Sequence, residues 1–333
     1  MLNYKLSLKN VITPSIPIAI LLTIGCVAFW FLADLGSHLS NVNESVNPLV
    51  KSIQLNVLHN IISFSTITLL FTVLNAFLLA QLNSQYSLIR TRTFLPIIIF
   101  MILMSAWTET HLLNESHLAL TLFIVALFYF FNMQKDIEGV EQAFMGSFAI
   151  GVASLLINPL IFLMPFCWMG FVMFQSFSLR TFLASLFGIL SPWLIYVSIY
   201  AYLHPNFNPI EVLNAELVLG IDLMTLPILN IAYIVGVSVV LFLGLIGLFS
   251  NAHGDAIQTR TRLNFLILIL FALSILALVY AQEIELFLPI LAILYALLVS
   301  HAFTLKENNF YAILFVVFCV LNTAFIISKL FAL

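Results

Sequence analysis

Charged residues are scarce in this sequence. Only 8% of the 333 residues are Asp, Glu, Lys or Arg, whereas a soluble domain carries about 25%. Apolar residues take their place, since 63% of the chain is hydrophobic and 32 residues are Phe. A water-exposed surface cannot be built from this composition, so the sequence predicts a polytopic membrane protein.

Several chemical signatures are also missing. The net charge is −3 and there is no cluster of Lys and Arg, which excludes nucleic acid as a partner because nothing would neutralise its phosphates. The chain has no P-loop, no Gly-x-Ser-x-Gly and no His-Glu-x-x-His, which disfavours a nucleotide-driven engine and a membrane zinc protease. Cys26, Cys167 and Cys319 lie far apart in apolar runs, so we expect buried thiols without a disulfide framework.

Long apolar runs are abundant instead, and a helix needs about 20 such residues to cross a bilayer. Eleven runs qualify: 14–35, 57–82, 94–108, 117–134, 141–158, 159–176, 181–203, 227–250, 263–281, 286–305 and 310–330. The runs 141–158 and 159–176 meet at Asn158-Pro159 and are either two spans or a re-entrant pair. The sequence therefore predicts an all-α transmembrane helical bundle of about 11 helices.

Lys and Arg test the orientation independently, because they were not used to locate the helices. With the N-terminus inside and the C-terminus outside, only Lys51 and Lys329 face outward. The other nine cations face the cytoplasm: Lys5, Lys9, Arg90, Arg92, Lys135, Arg180, Arg260, Arg262 and Lys306. This asymmetry predicts a multi-pass membrane protein with its N-terminus inside and its C-terminus outside.

Two of the predicted outer loops carry helix-start signals. Asn47-Pro48 and Asn208-Pro209 each combine a capping residue with a proline at the first helical position, a pattern typical of short helices. We expect these helices to lie along the outer membrane interface. As a whole, 1–333 is interpreted as one membrane domain, with a core at 14–203, an outer loop at 204–226 and a four-helix part at 227–333.

The densest group of polar residues lies in "SAWTETHLLNESHLAL", residues 105–120, on the predicted outer side. It contains Glu109, His111, Glu115 and His117 within nine residues. His111 and Glu115 are four residues apart and would share a face if the loop were helical, where they could hydrogen-bond or chelate a metal ion. The alternative interpretation is a solvated elbow between two membrane helices.

Residues 94–200 resemble membrane glycosyltransferases of the C-type fold, in the acidic loop "SAWTETHLLNESH", the Gly-rich "FMGSFAIGVASLLINPLIFLMP" and "GILSPWLIY". That family transfers sugars from polyprenyl-phosphate carriers at the outer face, with acidic residues of the outer loops as catalysts. The resemblance implies catalytic roles for Asp34, Glu109 and Glu115 and substrate contacts from outer polar residues, which are Glu44, Lys51, His59, His111 and His117.

One departure from that family concerns the carrier's phosphate. C-type enzymes usually hold it with outer Arg or Lys, because paired charge stabilises a leaving phosphate. Only Lys51 and Lys329 are available here. A divalent cation held by the Glu and His residues would be a substitute, and no other cofactor is expected.

A second resemblance covers most of the first 200 residues. "LNSQYSLIRTRTFLPIIIFMIL" and "GVASLLINPLIFLMPFCWMGFVMF" are similar to a family of uncharacterised polytopic inner-membrane proteins of Bacteroidota. This family implies location in the membrane and no particular activity.

The sequence supports three functional hypotheses. The first is an outer-face transferase that acts on a lipid-linked sugar in cell-envelope glycan synthesis. The second is a non-catalytic membrane subunit of an envelope, secretion or motility complex, with membrane-protein partners and surrounding lipid. The third is a lipid or small-molecule transporter, which is disfavoured because few ionisable residues lie inside the predicted spans.

The predicted orientation can be tested with single cysteines in a cysteine-free background. Asn208→Cys is expected to react with a membrane-impermeant maleimide in intact spheroplasts, because the loop 204–226 is predicted outside. His253→Cys is expected to react only after permeabilisation. The opposite labelling pattern would show that the topology is inverted.

Overall fold

The computed structural model describes most of the chain: residues 24–27, 30, 61–91, 93–111, 114–135, 139–203, 227–304 and 309–332. These residues are almost entirely helical, and the described ranges contain no strand. The prediction of an all-α protein is therefore confirmed. Helices suit a chain of this hydropathy because they satisfy every backbone hydrogen bond within one segment.

Ten α-helices follow one another within the described ranges. They are α1 (Ile61–Tyr86), α2 (Leu95–Ala106), α3 (Glu115–Asn132), α4 (Val140–Leu156), α5 (Met164–Met173), α6 (Leu179–Leu203), α7 (Ile228–Asn251), α8 (Ile257–Val279), α9 (Ile284–Thr304) and α10 (Asn309–Ala332). Short 3-10 helices cover Thr108–His111, Met133–Lys135, Asn158–Leu163, Ala252–Gly254 and Ala281–Glu283.

Seven helices of the described part are long and apolar enough to cross a membrane, namely α1, α3, α6, α7, α8, α9 and α10. The apolar segments Leu95–Ala106, Val140–Leu156 and Asn158–Met173 are shorter. The structure thus supports a multi-pass membrane protein. The predicted first helix, 14–35, lies outside the described residues except for 24–27 and residue 30, as do both predicted interfacial helices.

The predicted boundaries agree with the structure to within a few residues, with one larger error. The run 263–281 was predicted to start at residue 263, but α8 starts at Ile257. Its first turns contain Thr259, Arg260 and Arg262, which are helical. Because these side chains are polar, a hydropathy profile does not include them in the apolar run. The start of this helix was therefore predicted too late.

The chain turns back at Asn158-Pro159, between α4 and α5. Ile157 is extended, with φ −128° and ψ 92°, which ends α4. After α5, the Ser176 hydroxyl donates to the Met133 carbonyl oxygen at 3.3 Å, so the chain returns to the end from which α4 departs. The 17 residues of α4 extend about 25 Å, close to the thickness of a bilayer core.

The chain divides into two compact units. Unit 1 takes residues from 1–114, 224–263 and 291–333, and unit 2 takes 115–223 and 264–290. Helices α8 and α9 each contribute one part to unit 1 and the other part to unit 2. Each unit has its own packing and its own polar groups.

Unit 2 is built on close approach of α4 and α6 at glycine. A Cβ at Gly188 would lie 2.5 Å from the Phe144 carbonyl oxygen, and a Cβ at Gly151 would lie 2.9 Å from the Ile189 carbonyl oxygen. These contacts join one backbone to another. Small residues provide such packing in membranes because lipid tails supply no hydrophobic force between helices.

An aromatic core fills another part of unit 2. Phe130 packs edge-on against Phe171 and Phe265, with ring centroids 5.4 and 6.1 Å apart. Gly146 lies against the Phe130 ring and Gly170 against the Phe265 ring, where a Cβ would clash in each case. At each of these helix contacts an aromatic ring of one helix therefore packs on a glycine of another, which keeps the interior closely packed.

Pro192 lies inside α6 and cannot donate a backbone hydrogen bond to residue 188. The Ser191 hydroxyl donates to the Gly188 carbonyl oxygen at 3.0 Å instead. A side chain thus replaces the missing backbone donor, as membrane helices with internal proline require.

The glycine contact between α4 and α6 makes a direct prediction. Gly188→Ala should destabilise the protein by about 1–3 kcal/mol, the usual cost of an overpacked site, because the new methyl group would meet backbone. Gly244→Ala is the matched control, since its Cβ would lie an ordinary 3.5 Å from the Ala302 Cβ. Thermal unfolding in detergent measures both, and equal melting temperatures would contradict the packing.

Candidate functional site

The acidic loop of the sequence begins with a compact turn. Trp107 ends α2 with extended backbone, and Thr108–His111 form a 3-10 helix. The buried Thr110 hydroxyl contacts the Met104 and Trp107 carbonyl oxygens at 2.8 and 2.7 Å. The Trp107 carbonyl oxygen also accepts from the Thr110 amide at 3.1 Å. The threonine therefore caps the end of α2 and holds the turn against it.

His111 is buried at the end of this turn. Its ring stacks on the Trp30 indole, with centroids 3.9 Å apart and planes inclined by 19°. This position in unit 1 differs from the solvated elbow considered as one alternative. The imidazole is packed as an aromatic ring, in a pair of the kind that contributes about 0.5–1.5 kcal/mol.

Glu115 and His117 belong to the first turn of α3 in unit 2, and both are buried. The 3-10 helix ends at His111, whereas Asn114 is in no helix and α3 starts at Glu115. The continuous helix on which a His111–Glu115 chelate depended is therefore not formed. Within the described ranges, no group of three or more metal-ligating side chains occurs.

Glu109 is the predicted site residue nearest to Trp107 along the chain, and it lies in the 3-10 turn two residues after it. Asp34, Glu44, Lys51 and His59 lie outside the described residues.

Unit 1 brings together an aromatic site that the sequence analysis did not identify. We call Trp107, Asn230, Tyr233, Phe325 and Lys329 the Trp107 site. The Tyr233 and Phe325 rings stack with centroids 4.0 Å apart. The Trp107 ring lies 5.8 Å from the first and 5.6 Å from the second, so α2, α7 and α10 meet at one aromatic surface.

A cation and a buried amide accompany these rings. The Lys329 amine lies 5.8 Å from the centroid of Trp107 and 5.7 Å from that of Phe325, within the range of a cation–π contact. The Tyr233 hydroxyl donates to the amide oxygen of Asn322, which lies three residues before Phe325 on α10, at 2.8 Å. Asn322 is held in turn, since its amide donates to the Phe318 carbonyl oxygen at 2.8 Å.

Several buried polar atoms of unit 1 have no hydrogen-bond partner within the described part of the chain, among them Trp107 Nε1, the Asn230 side-chain oxygen, the Tyr295 hydroxyl, Arg262 Nε and the Ser300 hydroxyl. Trp107 is 2% exposed and Asn230 is 4% exposed. A buried polar atom without a partner costs about 1–3 kcal/mol. Such atoms are therefore expected to meet water or a ligand.

Asn230 and Lys329 each lie about one helical turn from the stacked rings. Asn230 precedes Tyr233 by three residues on α7, and Lys329 follows Phe325 by four residues on α10. The Lys329 amine lies 5.8 Å from the Trp107 ring, and because Tyr233 stacks on Phe325 we expect the Asn230 oxygen on the same side of the site. A donor, an acceptor, a cation and flat rings together suit a hydroxylated ligand that carries negative charge.

A second polar group lies at the opposite end of α7, also in unit 1. We call Arg90, Asp255 and His301 the Arg90 cluster. Asp255 accepts from Arg90 Nε at 2.5 Å through Oδ1, and its Oδ2 lies 3.3 Å from His301 Nε2. The other ring nitrogen, His301 Nδ1, lies 2.9 Å from the Leu88 carbonyl oxygen. Three separate segments of chain therefore bring three ionisable side chains together.

The loop after α1 has an unusual backbone that sets up this cluster. Ser87 has φ 49°, a left-handed conformation that is uncommon for a residue with a side chain. The Asn83 side chain accepts from the Ile89 amide at 3.1 Å. This turn presents the Leu88 carbonyl oxygen to His301, so local strain is used to position an acceptor.

Glycine at residue 254 admits the Arg90 side chain. A Cβ at Gly254 would lie 2.7 Å from Arg90 Nη2, and that nitrogen donates to the Asn251 carbonyl oxygen at 3.1 Å. The guanidinium thus caps the end of α7 while it pairs with Asp255, a favourable place for a cation.

The sequence analysis did not single out Asp255 and treated the predicted spans as nearly free of ionisable groups. The contact between Asp255 and His301 joins positions 46 residues apart, and the contact with Arg90 spans 165 residues. No local spacing could indicate it. His301 inside the predicted span 286–305 was the available signal, because an ionisable residue in a span is uncommon.

The pKa of one carboxyl group outside the spans is raised. Glu283 ends the 3-10 helix Ala281–Glu283 in unit 2, and partial desolvation raises its pKa although much of the side chain stays exposed. Desolvation and the Glu283 charge raise the pKa of the neighbouring Tyr280 hydroxyl. These effects follow from the lower dielectric around the elbow between α8 and α9.

The Tyr233–Asn322 hydrogen bond can be tested by a double-mutant cycle. Tyr233→Phe should cost about 1–3 kcal/mol of stability, because it leaves the buried Asn322 oxygen without its donor. Asn322→Leu in the Tyr233→Phe background should restore part of this loss, since both polar groups are then removed. Additive losses in thermal unfolding would contradict the hydrogen bond.

Comparison with known proteins adds no relative. No protein-family model, no curated protein and no solved structure matches this chain. The geometry of the Trp107 site and of the Arg90 cluster is therefore the basis for a function.

Proposed function

We propose that this chain is an inner-membrane glycosyltransferase that acts on a lipid-linked sugar at the Trp107 site. The observation that carries the proposal is that two buried groups lack a hydrogen-bond partner among the described residues. They are the Trp107 indole N–H and the Asn230 side-chain oxygen, at a site that also holds aromatic rings and Lys329. The product would be a cell-envelope glycan made at the outer face.

The chemistry of a lipid-linked sugar matches these groups. A sugar hydroxyl accepts from the indole N–H and donates to the Asn230 oxygen, while its ring packs on an aromatic face. The phosphate of a polyprenyl carrier is anionic, and an amine or N–H donor gives it a charge-assisted hydrogen bond. Lys329, one of two cations on the predicted outer side, is the natural residue for this contact.

The lipid part of such a substrate would need contact with the bilayer. α7 and α10 border the Trp107 site and are mostly unburied, since only 28% and 33% of their most apolar windows are covered by other parts of the chain. Their exposed side chains include Ile231, Val235 and Val320. A carrier tail in the bilayer would lie along these apolar faces while its head reached the site.

Glu109 is the proposed general base. It belongs to the turn that begins directly after Trp107, so the transfer step needs no distant segment. A carboxylate serves this role when it lies within hydrogen-bond reach of the acceptor hydroxyl. Asp34 and Glu115 remain the other acidic candidates proposed from the sequence, with Glu44, Lys51, His59, His111 and His117 as substrate contacts and a divalent cation as the alternative phosphate ligand.

Native mass spectrometry of the purified protein tests this proposal. The wild type is expected to retain polyprenyl phosphate or its sugar-linked form. Trp107→Phe should retain about tenfold less, since it loses one hydrogen bond but keeps a ring, and 1.4 kcal/mol corresponds to tenfold in affinity. Glu109→Gln should keep the carrier and accumulate its sugar-loaded form, because binding survives without the base.

Trp168→Phe is the matched control, because the Trp168 indole already donates to the Ser185 hydroxyl at 2.9 Å. It should retain carrier lipid as the wild type does. Bulk phospholipid alone in every sample would refute the transferase. A stoichiometric protein partner in place of the carrier would favour the second hypothesis, a non-catalytic subunit of an envelope complex.

A further inference from the structure

The Arg90 cluster is separate in function from the Trp107 site, and its chemistry does not depend on the transferase. Asp255 is only 2% exposed and His301 is fully buried, whereas Arg90 is 32% exposed. His301 lies within the membrane-spanning helix α9. Ionisable residues inside spans are costly and generally retained for a function.

The hydrogen bonds of His301 define how many protons the cluster holds. A backbone carbonyl oxygen can only accept, so Nδ1, at 2.9 Å from the Leu88 oxygen, must carry a hydrogen. The neutral ring with hydrogen on Nδ1 has a bare lone pair on Nε2. A carboxylate oxygen of Asp255 faces that atom at 3.3 Å, and it also only accepts.

Two acceptors cannot form a hydrogen bond with each other, so the contact requires one more proton. It is carried by Nε2, as an imidazolium beside a carboxylate, or by Oδ2, as a carboxylic acid beside a neutral ring. Asp255 Oδ1 is already engaged by Arg90 Nε. The arrangement therefore describes a pair that shares one proton.

We infer that Asp255 and His301 form a buried proton-binding site, whose ligand is a single proton taken up from the aqueous end of the bundle. Release of that proton sets two lone pairs against each other, and the contact between α9 and the turn after α7 is then lost. The proton thus links the end of α9 to the segment that joins α7 and α8.

The site is surrounded by few charged groups. Asp255 is the one carboxyl group that faces His301 among the described residues. Arg90 also faces the pair, through its contact with Asp255. On α8 and α1, the Arg262 guanidinium lies 5.1 Å from the Tyr86 ring and donates to the Tyr86 carbonyl oxygen, so it is directed away from the pair.

Arg90 is the part of the cluster that reaches water. Its guanidinium bridges Asp255 and the Asn251 carbonyl oxygen and covers an otherwise buried carboxyl group. Arg90 is therefore assigned as a positioning residue that holds Asp255 in place beside His301.

Asp255→Asn provides a sharp test, because the amide makes both contacts without the extra proton. Its oxygen accepts from Arg90, and its N–H donates to Nε2 of a neutral ring. Nitrogen NMR of the histidine-labelled full chain, with His301→Gln to assign the signal, reads the state of the ring. In the wild type the ring nitrogens should report one proton held between His301 and Asp255, which is lost as the pH is raised. In Asp255→Asn the ring should stay neutral, with hydrogen on Nδ1.

Identical pH profiles of the ring in wild type and Asp255→Asn would overturn the proposal, as would a wild-type ring that is neutral and lacks a hydrogen bond at Nε2 throughout. A melting curve checks that Asp255→Asn folds. If it does not, Arg90→Gln replaces it, and its titration should move to higher pH because an opposing cation is removed. An unchanged titration in Arg90→Gln would also overturn the proposal.

Discussion

Polar groups in this protein must find partners inside the fold, because a bilayer offers them none. This constraint explains why the described residues are helical and why hydroxyl groups in the helices donate back to their own backbone. Thr72 donates to the Thr68 carbonyl oxygen at 2.9 Å, and Ser274 donates to the Leu270 carbonyl oxygen at 2.8 Å. Against this background, a buried group without a partner is unusual and informative. The Trp107 site and the Arg90 cluster are two places among the described residues of unit 1 where polar groups come together.

Most of the helices could be predicted from hydropathy alone, because a spanning segment needs little more than about 20 apolar residues. The error at α8 shows the limit of this signal. Thr259 and Arg262 are polar, yet Thr259 donates to the Ser87 carbonyl oxygen at 3.4 Å and Arg262 donates to the Tyr86 carbonyl oxygen at 2.8 Å. Tertiary partners make this polar turn part of the helix, and no property of the local sequence reports such partners.

The candidate sites were less predictable than the helices. Sequence reasoning selected Glu109, His111 and Glu115 because they are neighbours along the chain. The structure assembles its polar groups from distant segments, and Tyr233 and Asn322 are 89 residues apart. Without an alignment of relatives, pairs at such separation leave no trace in a single sequence. Aromatic residues make up 14% of the chain, so their presence alone does not distinguish those of the Trp107 site from the others.

Pro192 lies one helical turn after Gly188, the residue at which α6 packs most closely on α4. Its partner hydroxyl, Ser191, reaches the Gly188 carbonyl oxygen by rotation about one side-chain bond. That oxygen can stay paired over a range of backbone angles, whereas an amide donor would be fixed by the helix. Gly188 is also the residue at which α6 rests on α4. The hydroxyl of Ser191 therefore satisfies the carbonyl oxygen at the residue where α6 packs on α4, so a bend at Pro192 would not leave that oxygen unpaired in lipid.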